Sequence, residues 1–434
     1  MPQSELLRDV MSSLPTLERA LDRLRRSSTG AGVDGITPAR FREKRSESLS
    51  AIADGLRART YRFQKLKAVP IRKPDGGHRL IAIPTVADRV VQKALLDTVM
   101  PYIGHRVNTP GSHAYLSQRG LATAINDVKR HIRAGNRSIV QTDIIKFFDR
   151  IKAKQAIDGL IEELPDDSLR DVLEQYVGWE VDGLNKLEPD LRKAFPADGK
   201  TTGLPQGTAL APVLANMMLG RIDQAAADQG IAVVRYADDI VILAKSPSLA
   251  MEAFDWYKSQ LAELELEVHD PRASTRKATE VPDIRAKGIE YLGCYITEVK
   301  GQIRVRPQEK KIVGILNNIT RIFTRRGRHS FPQRVIEASQ AAEAWVASYR
   351  LLCGMKRVSK RISDGVASAI ETSLQQRGIL PKGKTLDHQQ RAFLGLAMIT
   401  RRSGRRPTRA IVKLPNRPRS NGINPESRGS DRKA

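Results

Sequence analysis

Apolar residues recur at spacings of three and four through the first 60 positions: Leu14, Leu17, Leu21 and Leu24 mark one helical face, and a second helical pattern runs from about Pro38 to Arg59. Gly30-Ala-Gly-Val-Asp-Gly35 interrupts them as a loop. The period then shortens. Leu66-Lys-Ala-Val-Pro-Ile71 and Arg79-Leu-Ile-Ala-Ile83 flank Pro74-Asp75-Gly76-Gly77, so turn chemistry predicts a hairpin. From Asp88 a helix resumes, with Val90, Val91, Ala94 and Leu95 on one face. Helix and strand patterns alternate from about 118 to 300, which predicts an α+β domain. Residues 305–395 are again helical, with Ile312, Ile315 and Ile319 in one stretch and Ala341, Trp345 and Tyr349 in another; Trp345 reads as core. The tail from Arg401 to Ala434 carries eleven Lys/Arg against two acidic residues, with four prolines, and predicts a flexible basic arm. No internal repeat is visible.

Composition narrows the function classes. The chain has 434 residues, 40% of them hydrophobic, enough for real cores in two to four structural units. A formal net charge of +25 repels itself unless a polyanion relieves it, and nucleic acid is the commonest such partner. With aromatics at 5%, contacts to a phosphate backbone should outweigh base stacking. The two cysteines, Cys294 and Cys353, exclude a disulfide framework and a multi-cysteine zinc ribbon, and read as small buried hydrophobes. The seven histidines form no HxxxH or HExxH pair, so no zinc hydrolase site is readable. No apolar run approaches the ~18 residues of a spanning helix, and the first residues show no basic-then-apolar leader. The expectation is a soluble, cytoplasmic protein with no membrane association.

Three blocks carry candidate chemistry. In Val233-Val-Arg-Tyr-Ala-Asp238-Asp239-Ile-Val-Ile-Leu243, apolar β-formers flank a four-residue turn with adjacent carboxylates, which predicts strand–turn–strand. In Ser138-Ile-Val-Gln-Thr-Asp143-Ile-Ile-Lys-Phe-Phe148-Asp149, a carboxylate ends a buried strand, where an unpaired charge is expensive unless a cation relieves it. Asp143 with Asp238 would suit two Mg²⁺ ions about 3.5–4 Å apart, the arrangement that clamps attacking and leaving oxygens in phosphoryl transfer. Asp149 is expected to cap a following helix, Arg150 to Leu160. Between them, Gly203-Leu-Pro-Gln206-Gly207 lets backbone approach a ligand just before a helix begins.

In this order and spacing, the blocks resemble the palm motifs of reverse transcriptases. Lys73-Pro-Asp-Gly-Gly-His-Arg79 with Ile83-Pro-Thr-Val-Ala-Asp-Arg89 resembles the fingers blocks of the group II intron-like prokaryotic lineage. Gly32-Val-Asp-Gly35 is similar to that lineage's N-terminal block, and Tyr291-Leu292-Gly293-Cys-Tyr-Ile296 to its primer grip. The resemblance implies a right-hand polymerase with an antiparallel-sheet palm and a helical thumb. Its parts would be an N-terminal extension and fingers at 1–135, a palm at 136–300 with a fingers-side insertion near 155–202, a thumb at 301–395 and a basic tail at 396–434. By position it implies that Asp143, Asp238 and Asp239, with the Ile144 carbonyl, bind two Mg²⁺ ions, Mn²⁺ being an alternative. It further implies that Lys73 and Arg79 bind the triphosphate, that Phe148 crowds a ribose 2′-OH, and that Gln206 lies against nucleotide and template. Lys310, Lys311, Arg325 and Arg326 would contact a nucleic-acid backbone.

Departures from the family pattern bear on biology. Ser112-His-Ala-Tyr-Leu-Ser-Gln-Arg-Gly120 stands where intron relatives carry Gly-Phe-Arg-Pro, and Gly-Thr-Ala-Leu-Ala-Pro212 where they carry Gly-Gly-Ile-Ile-Ser-Pro. The late-palm Lys-Thr has no clear match, leaving Arg272 or Lys277 as stand-ins, the stretch Gly178 to Thr202 is long, and no nuclease block follows the thumb region. These departures, with the resemblance to bacterial antiviral defence reverse transcriptases, imply an RNA-directed DNA polymerase that uses dNTPs and a dedicated structured noncoding RNA template and yields DNA. The alternatives are an intron-encoded reverse transcriptase with maturase activity, untemplated or protein-primed synthesis, and an RNA chaperone with a vestigial site. Intact carboxylates argue against the last. Oligomeric state is left open.

Overall fold

A computed structural model of the chain describes residues 6–24, 30–72, 78–192, 203–273, 277–325, 329–350, 355–387 and 389–390. It divides into two compact units, Met1–Asn317 with Ala344–Met355, and Asn318–Glu343 with Lys356–Ala434.

The strands belong to the first unit: β1 (Leu66–Arg72), β2 (His78–Ile83), β3 (Ser138–Asp143), β4 (Val181–Asp182), β5 (Ala232–Tyr236), β6 (Asp239–Ala244), β7 (Thr279–Val281), β8 (Ile289–Tyr291), β9 (Cys294–Val299) and β10 (Gln302–Pro307). The central sheet is antiparallel throughout, in the order β5-β6-β3-β7. Its strands are apolar on both faces because both faces are covered. Val140, Ile240 and Ile242 enter one core with residues of helices Val86–Val107, Ala153–Ile161, Ala211–Asp228 and Pro247–Glu263. Ile139, Val241 and Leu243 point the other way, into a second core with helix Leu121–Arg133 and strands β8 and β9. Period-two alternation thus feeds two cores. The remaining sheets are β2-β1-β4, in which β4 runs parallel to β1, and the antiparallel β10-β9-β8.

The α+β expectation holds, with local corrections. The helix expected from Pro38 to Arg59 is two helices, Pro38–Glu43 and Arg45–Arg57, meeting at Lys44 in a non-helical conformation. Leu17 and Leu21 are buried but Leu14 is exposed, so the helical stripe is narrower than its leucines suggest. Gln302–Pro307 is strand, and the helical stretch expected from 305 begins at Glu309. The helix expected from Arg150 spans Ala153–Ile161 with Lys152 at its N-cap, so Asp149 does not cap it; Asp149 lies in the preceding short helix Phe147–Arg150. The predicted β1–β2 hairpin forms in antiparallel register, although its tip, 73–77, lies outside the described residues, as does the basic tail.

In the second unit, buried Arg334 donates to the carbonyls of Ile322, Phe323 and Arg325 at 2.8, 3.0 and 2.9 Å. One guanidinium thus satisfies carbonyls that the end of helix Glu309–Thr324 leaves without intrahelical partners. No helix among the described residues is long and apolar enough to cross a membrane.

Candidate active site

The central sheet gathers the carboxylates. Asp143 ends β3 and pairs in register with Asp239, the first residue of β6. Tyr236 pairs with Asp239, so β5 and β6 are joined by the expected four-residue turn, Tyr236-Ala-Asp-Asp239, with Ala237-Asp238 at its centre. Ala237 holds φ +58°, a left-handed conformation costly for a residue with a Cβ. The Ile144 amide donates to the Asp238 carbonyl at 3.1 Å, fixing the hairpin against the end of β3.

Burial, then the nearby charges of Asp238 and Asp143, push the Asp239 carboxyl up to about 7, with Lys277 opposing. Lys277 Nζ lies 3.4 Å from Asp143 Oδ2. His269 Nε2 lies 3.2 Å from Oδ1, yet that buried oxygen has no hydrogen-bond partner. Among the described residues, no group of three or more His, Cys, Asp or Glu side chains stands arranged to hold a metal ion. The donor chemistry nonetheless suits a hard divalent cation: oxygen donors only, one of them orphaned, and a carboxylate whose charge its neighbours oppose.

Asp143, Ile144, Asp238 and Lys277 open onto a cavity of about 640 Å³ that Phe148 and Gln206 also line, whereas Asp239 stands behind its wall. Two backbone ladders assemble it. Gly203 and Leu204 donate to the carbonyls of Ile151 and Phe148, both at 2.7 Å, and Ala82 of β2 donates to the Gln206 carbonyl at 2.7 Å. Gly207 sits at φ +111°, and a Cβ there would lie 2.8 Å from the Ala82 carbonyl oxygen, so only glycine fits. Phe147 is buried while Phe148 lines the cavity, 5.2 Å from it ring to ring. Both rings sit on the short helix Phe147–Arg150, and Phe147 also borders the cavity.

Of the other expected residues, Lys73 and Arg326 lie outside the described residues, as does Cys353, and nothing is described of the Arg79 side chain. Tyr291 is fully buried, and Leu292 (φ +48°) and Gly293 (φ +80°) form the two-residue turn from β8 to β9. Lys310 pairs with Glu290 at 2.9 Å. Lys311 follows on the same helix, its Cε 3.7 Å from where a Cβ on Gly293 would stand. Arg325 belongs to the second unit and pairs with Glu337 at 2.5 Å. Cys294 is buried as expected; Trp345 is half-buried and tilted against Tyr349 at 4.5 Å. Between the two candidates for the late-palm lysine, Arg272 is engaged by Asp255 and Asp270, whereas Lys277 faces the cavity.

The sequence reading missed a buried ion pair behind the hairpin. Arg235 Nη2 lies 2.5 Å from Asp223 Oδ2, with both side chains at or below 1% exposure. Arg235 Nη1 also donates to Asn216 Oδ1 at 3.1 Å and to the Ala237 carbonyl at 3.2 Å, and Nη2 to Ser112 Oγ at 2.9 Å. Thr109 and Tyr257 donate to Asp223 from two further elements. An available signal was an arginine inside an otherwise apolar strand, with an aspartate inside the apolar helix Ala211–Asp228.

Comparison with known proteins gives one family: that described as reverse transcriptase (RNA-dependent DNA polymerase) matches residues 71–296. The chain is 25% identical over 271 residues to Protein YkfC of Escherichia coli K12, covering 53% of this chain and 68% of YkfC. It is 28% identical over 200 residues to the group II intron-encoded protein LtrA of Lactococcus lactis subsp. cremoris, covering 46% of this chain and 31% of LtrA. To the putative COX1/OXI3 intron 1 protein of Saccharomyces cerevisiae it is 26% identical, covering 50% of this chain and 25% of that protein. The chain therefore spans a third or less of these two intron proteins. Among solved structures, a partial Cas6-RT-Cas1–Cas2 complex matches at TM-score 0.35 and 22% identity, over 60% of this chain and 43% of that one. Telomerase from Candida albicans matches at TM-score 0.39 and 10% identity, over 78% and 64%.

Proposed function

The chain belongs to the reverse transcriptase (RNA-dependent DNA polymerase) family, with group II intron-like relatives, and on that footing we propose that it copies a dedicated structured noncoding RNA into DNA from dNTPs. The observation that carries the chemistry is the meeting of Asp143, Asp238, Phe148 and Gln206 on one cavity, from segments spread over about a hundred residues. In this reading the central sheet is the palm, the β1–β2 hairpin belongs to fingers within 1–135, and 301–395 is the thumb.

Asp143, Asp238 and Asp239, with the Ile144 carbonyl, would hold two Mg²⁺ ions, or Mn²⁺, whose oxygen preference they match. Bound there, the ions would supply charge stabilisation for the attacking 3′-oxygen and the departing pyrophosphate. The chain's own groups do the rest. Phe148 closes the side of the cavity where a ribose 2′-OH would project. Gln206, held by the Ala82 amide, presents a carboxamide to the nucleotide. Lys277 holds a proton at Nζ at the cavity wall, where a leaving pyrophosphate needs one. Lys73 and Arg79 are assigned to the triphosphate, and the Tyr291-Leu292-Gly293 turn to the primer end. Lys310, Lys311, Arg325 and Arg326 are assigned to nucleic-acid backbone.

The dedicated RNA and a role in cytoplasmic antiviral defence rest on the +25 charge, the basic tail and the departures from the intron pattern. The likeness to LtrA favours a second reading, an intron-encoded reverse transcriptase with maturase activity. Purifying the protein from its native locus and sequencing bound RNA and DNA separates them. One discrete RNA encoded beside the gene, with complementary DNA, supports the first; spliced intron RNA supports the second. Asp238→Ala with Asp239→Ala should abolish DNA synthesis while RNA binding persists. Undiminished synthesis would remove the carboxylate assignment.

A further inference from the structure

Tyr115 is held in an unfavourable backbone conformation. Its φ is +61°, which costs an aromatic residue on the order of 1–2 kcal/mol, and 52% of it is exposed. Strain that survives evolution is over-determined by its surroundings and concentrates at functional sites. Here the surroundings are explicit. Arg235 donates its amide to the Gly111 carbonyl at 2.8 Å, and His113 donates to the Arg235 carbonyl at 2.9 Å, so this segment runs along β5. The approach is so close that a Cβ on Gly111 would lie 2.4 Å from the Val233 carbonyl oxygen. Arg119 ties down the carbonyls of Thr109 and Ser112 at 2.7 and 2.6 Å. Finally, Asn216 Nδ2 donates to the Ala114 carbonyl at 2.8 Å, fixing the residue just before Tyr115.

The hairpin bearing Asp238 is fixed by the same groups. Arg235 Nη1 donates both to Asn216 Oδ1, the other end of that carboxamide, and to the Ala237 carbonyl. The aromatic ring and the catalytic carboxylates therefore share one buried anchor. What the anchor presents is a ring lining the catalytic cavity and meeting Phe148 edge-on, centroids 6.4 Å apart at 80°. Phe147 supports Phe148 from its buried side. A gate that rejects a single hydroxyl works only if it cannot swing away, because the discrimination rests on a few tenths of an ångström.

We propose that Tyr115 is a second specificity-determining residue, a wall of the nucleotide sugar pocket that holds Phe148 in place and thereby sets the preference for deoxynucleoside over ribonucleoside triphosphates. Asn216 is its positioning residue. The inference rests on the polymerase reading and on Phe148 as the sugar gate.

The test is single-nucleotide incorporation by the full chain on a primed RNA template, with a dNTP and the matching NTP compared as kcat/KM. An edge-to-face aromatic contact contributes enough that Tyr115→Ala should lower the deoxy-to-ribo ratio about three- to tenfold. Tyr115→Phe, which keeps the ring, should stay within about twofold of wild type. Asn216→Ala should shift the ratio in the same direction, and the double variant should fall no further than Tyr115→Ala alone, as expected of residues acting through one contact. An active wild type whose ratio is unchanged in Tyr115→Ala refutes this proposal alone, as does an equal loss in Tyr115→Phe. A wild-type chain that makes no DNA on any primed template refutes the polymerase reading and this proposal with it.

Discussion

The buried pair Arg235–Asp223 invites a quantitative test, because its two halves fail differently. Replacing Arg235 with Met removes the charge facing Asp223, which then keeps only the hydroxyls of Thr109 and Tyr257. It also strands the acceptors at Asn216, Ser112 and Ala237. Replacing Asp223 with Leu leaves a guanidinium at 0% exposure surrounded only by neutral acceptors. Breaking a buried pair by removing one partner costs about 3–5 kcal/mol, since the desolvation of the survivor is no longer offset. For a large unit each kcal/mol lowers the melting temperature by about 2 °C, so each single variant should melt about 6–10 °C lower. The double variant Arg235→Met/Asp223→Leu leaves neither charge uncompensated and should recover about 2 kcal/mol or more relative to the sum of the singles. Thermal denaturation of the full chain followed by circular dichroism measures all three. A single-variant loss below about 1 kcal/mol, or singles that add to within about 0.5 kcal/mol, would refute the argument. Activity supplies an independent arm. Without Arg235 the Ala237 carbonyl loses its donor and the Asp238 turn loosens, and a displacement near 1 Å lowers turnover by about a hundredfold, measured at a temperature where the variant remains folded.

Further outcomes follow from the site and from the basic tail. The Asp239 carboxyl, pushed up from 3.8 to about 7, binds a proton in the folded chain that the unfolded chain has released between those values. With chelator present, stability should therefore fall as pH rises from about 4 to 7. Because Mg²⁺ competes with that proton, its stabilising thermal shift should be larger at about pH 8 than at about pH 6; an equal shift at both would mean the ion binds elsewhere. Gly207→Ala would place a Cβ 2.8 Å from the Ala82 carbonyl oxygen at φ +111°, so it should raise KM for nucleotides through displacement of Gln206, and unchanged steady-state kinetics would defeat that account. Removing 401–434, with eleven basic residues, should weaken RNA binding and flatten its dependence on salt, whereas an unaltered slope in a filter-binding titration would make the tail irrelevant to affinity.

The candidate carboxylates were legible in the sequence because each stands in a short block whose local pattern also dictates its local structure. Apolar β-formers on either side of Tyr236-Ala-Asp-Asp239 can only be two strands and a turn, and the run ending at Asp143 can only be a strand buried on both faces. Local pattern fails where tertiary constraints override it. The turn closes on the Tyr236–Asp239 pair, which forces Ala237 into a conformation that propensity alone would assign to glycine. The helix expected from Arg150 is delayed where Phe148 and Ile151 give their carbonyls to the Leu204 and Gly203 amides, partners about fifty residues away in sequence.

The less legible half of the site is the layer behind it, and the reason is physical. A catalytic carboxylate is recognisable alone, because its role is to be poorly compensated by the protein. Arg235 is compensated completely, and the groups that do so come from positions 112, 216, 223 and 237, on a loop, one helix and a turn. No window of sequence contains that network, and each member taken singly has an ordinary reading: a strand arginine, a helix asparagine, a loop serine. Yet this layer decides where the carboxylates and the aromatic ring stand relative to one another. The departure at Ser112-His-Ala-Tyr115 from the intron pattern falls in it, since Ser112 binds the Arg235 guanidinium and Tyr115 faces the cavity. A block that reads as a lost motif in one dimension is, in three, the piece that joins the Asp238-Asp239 hairpin to the cavity wall. The specificity of this chain should therefore be sought in the 109–119 segment and its arginine anchor, in addition to the motifs that identify the family.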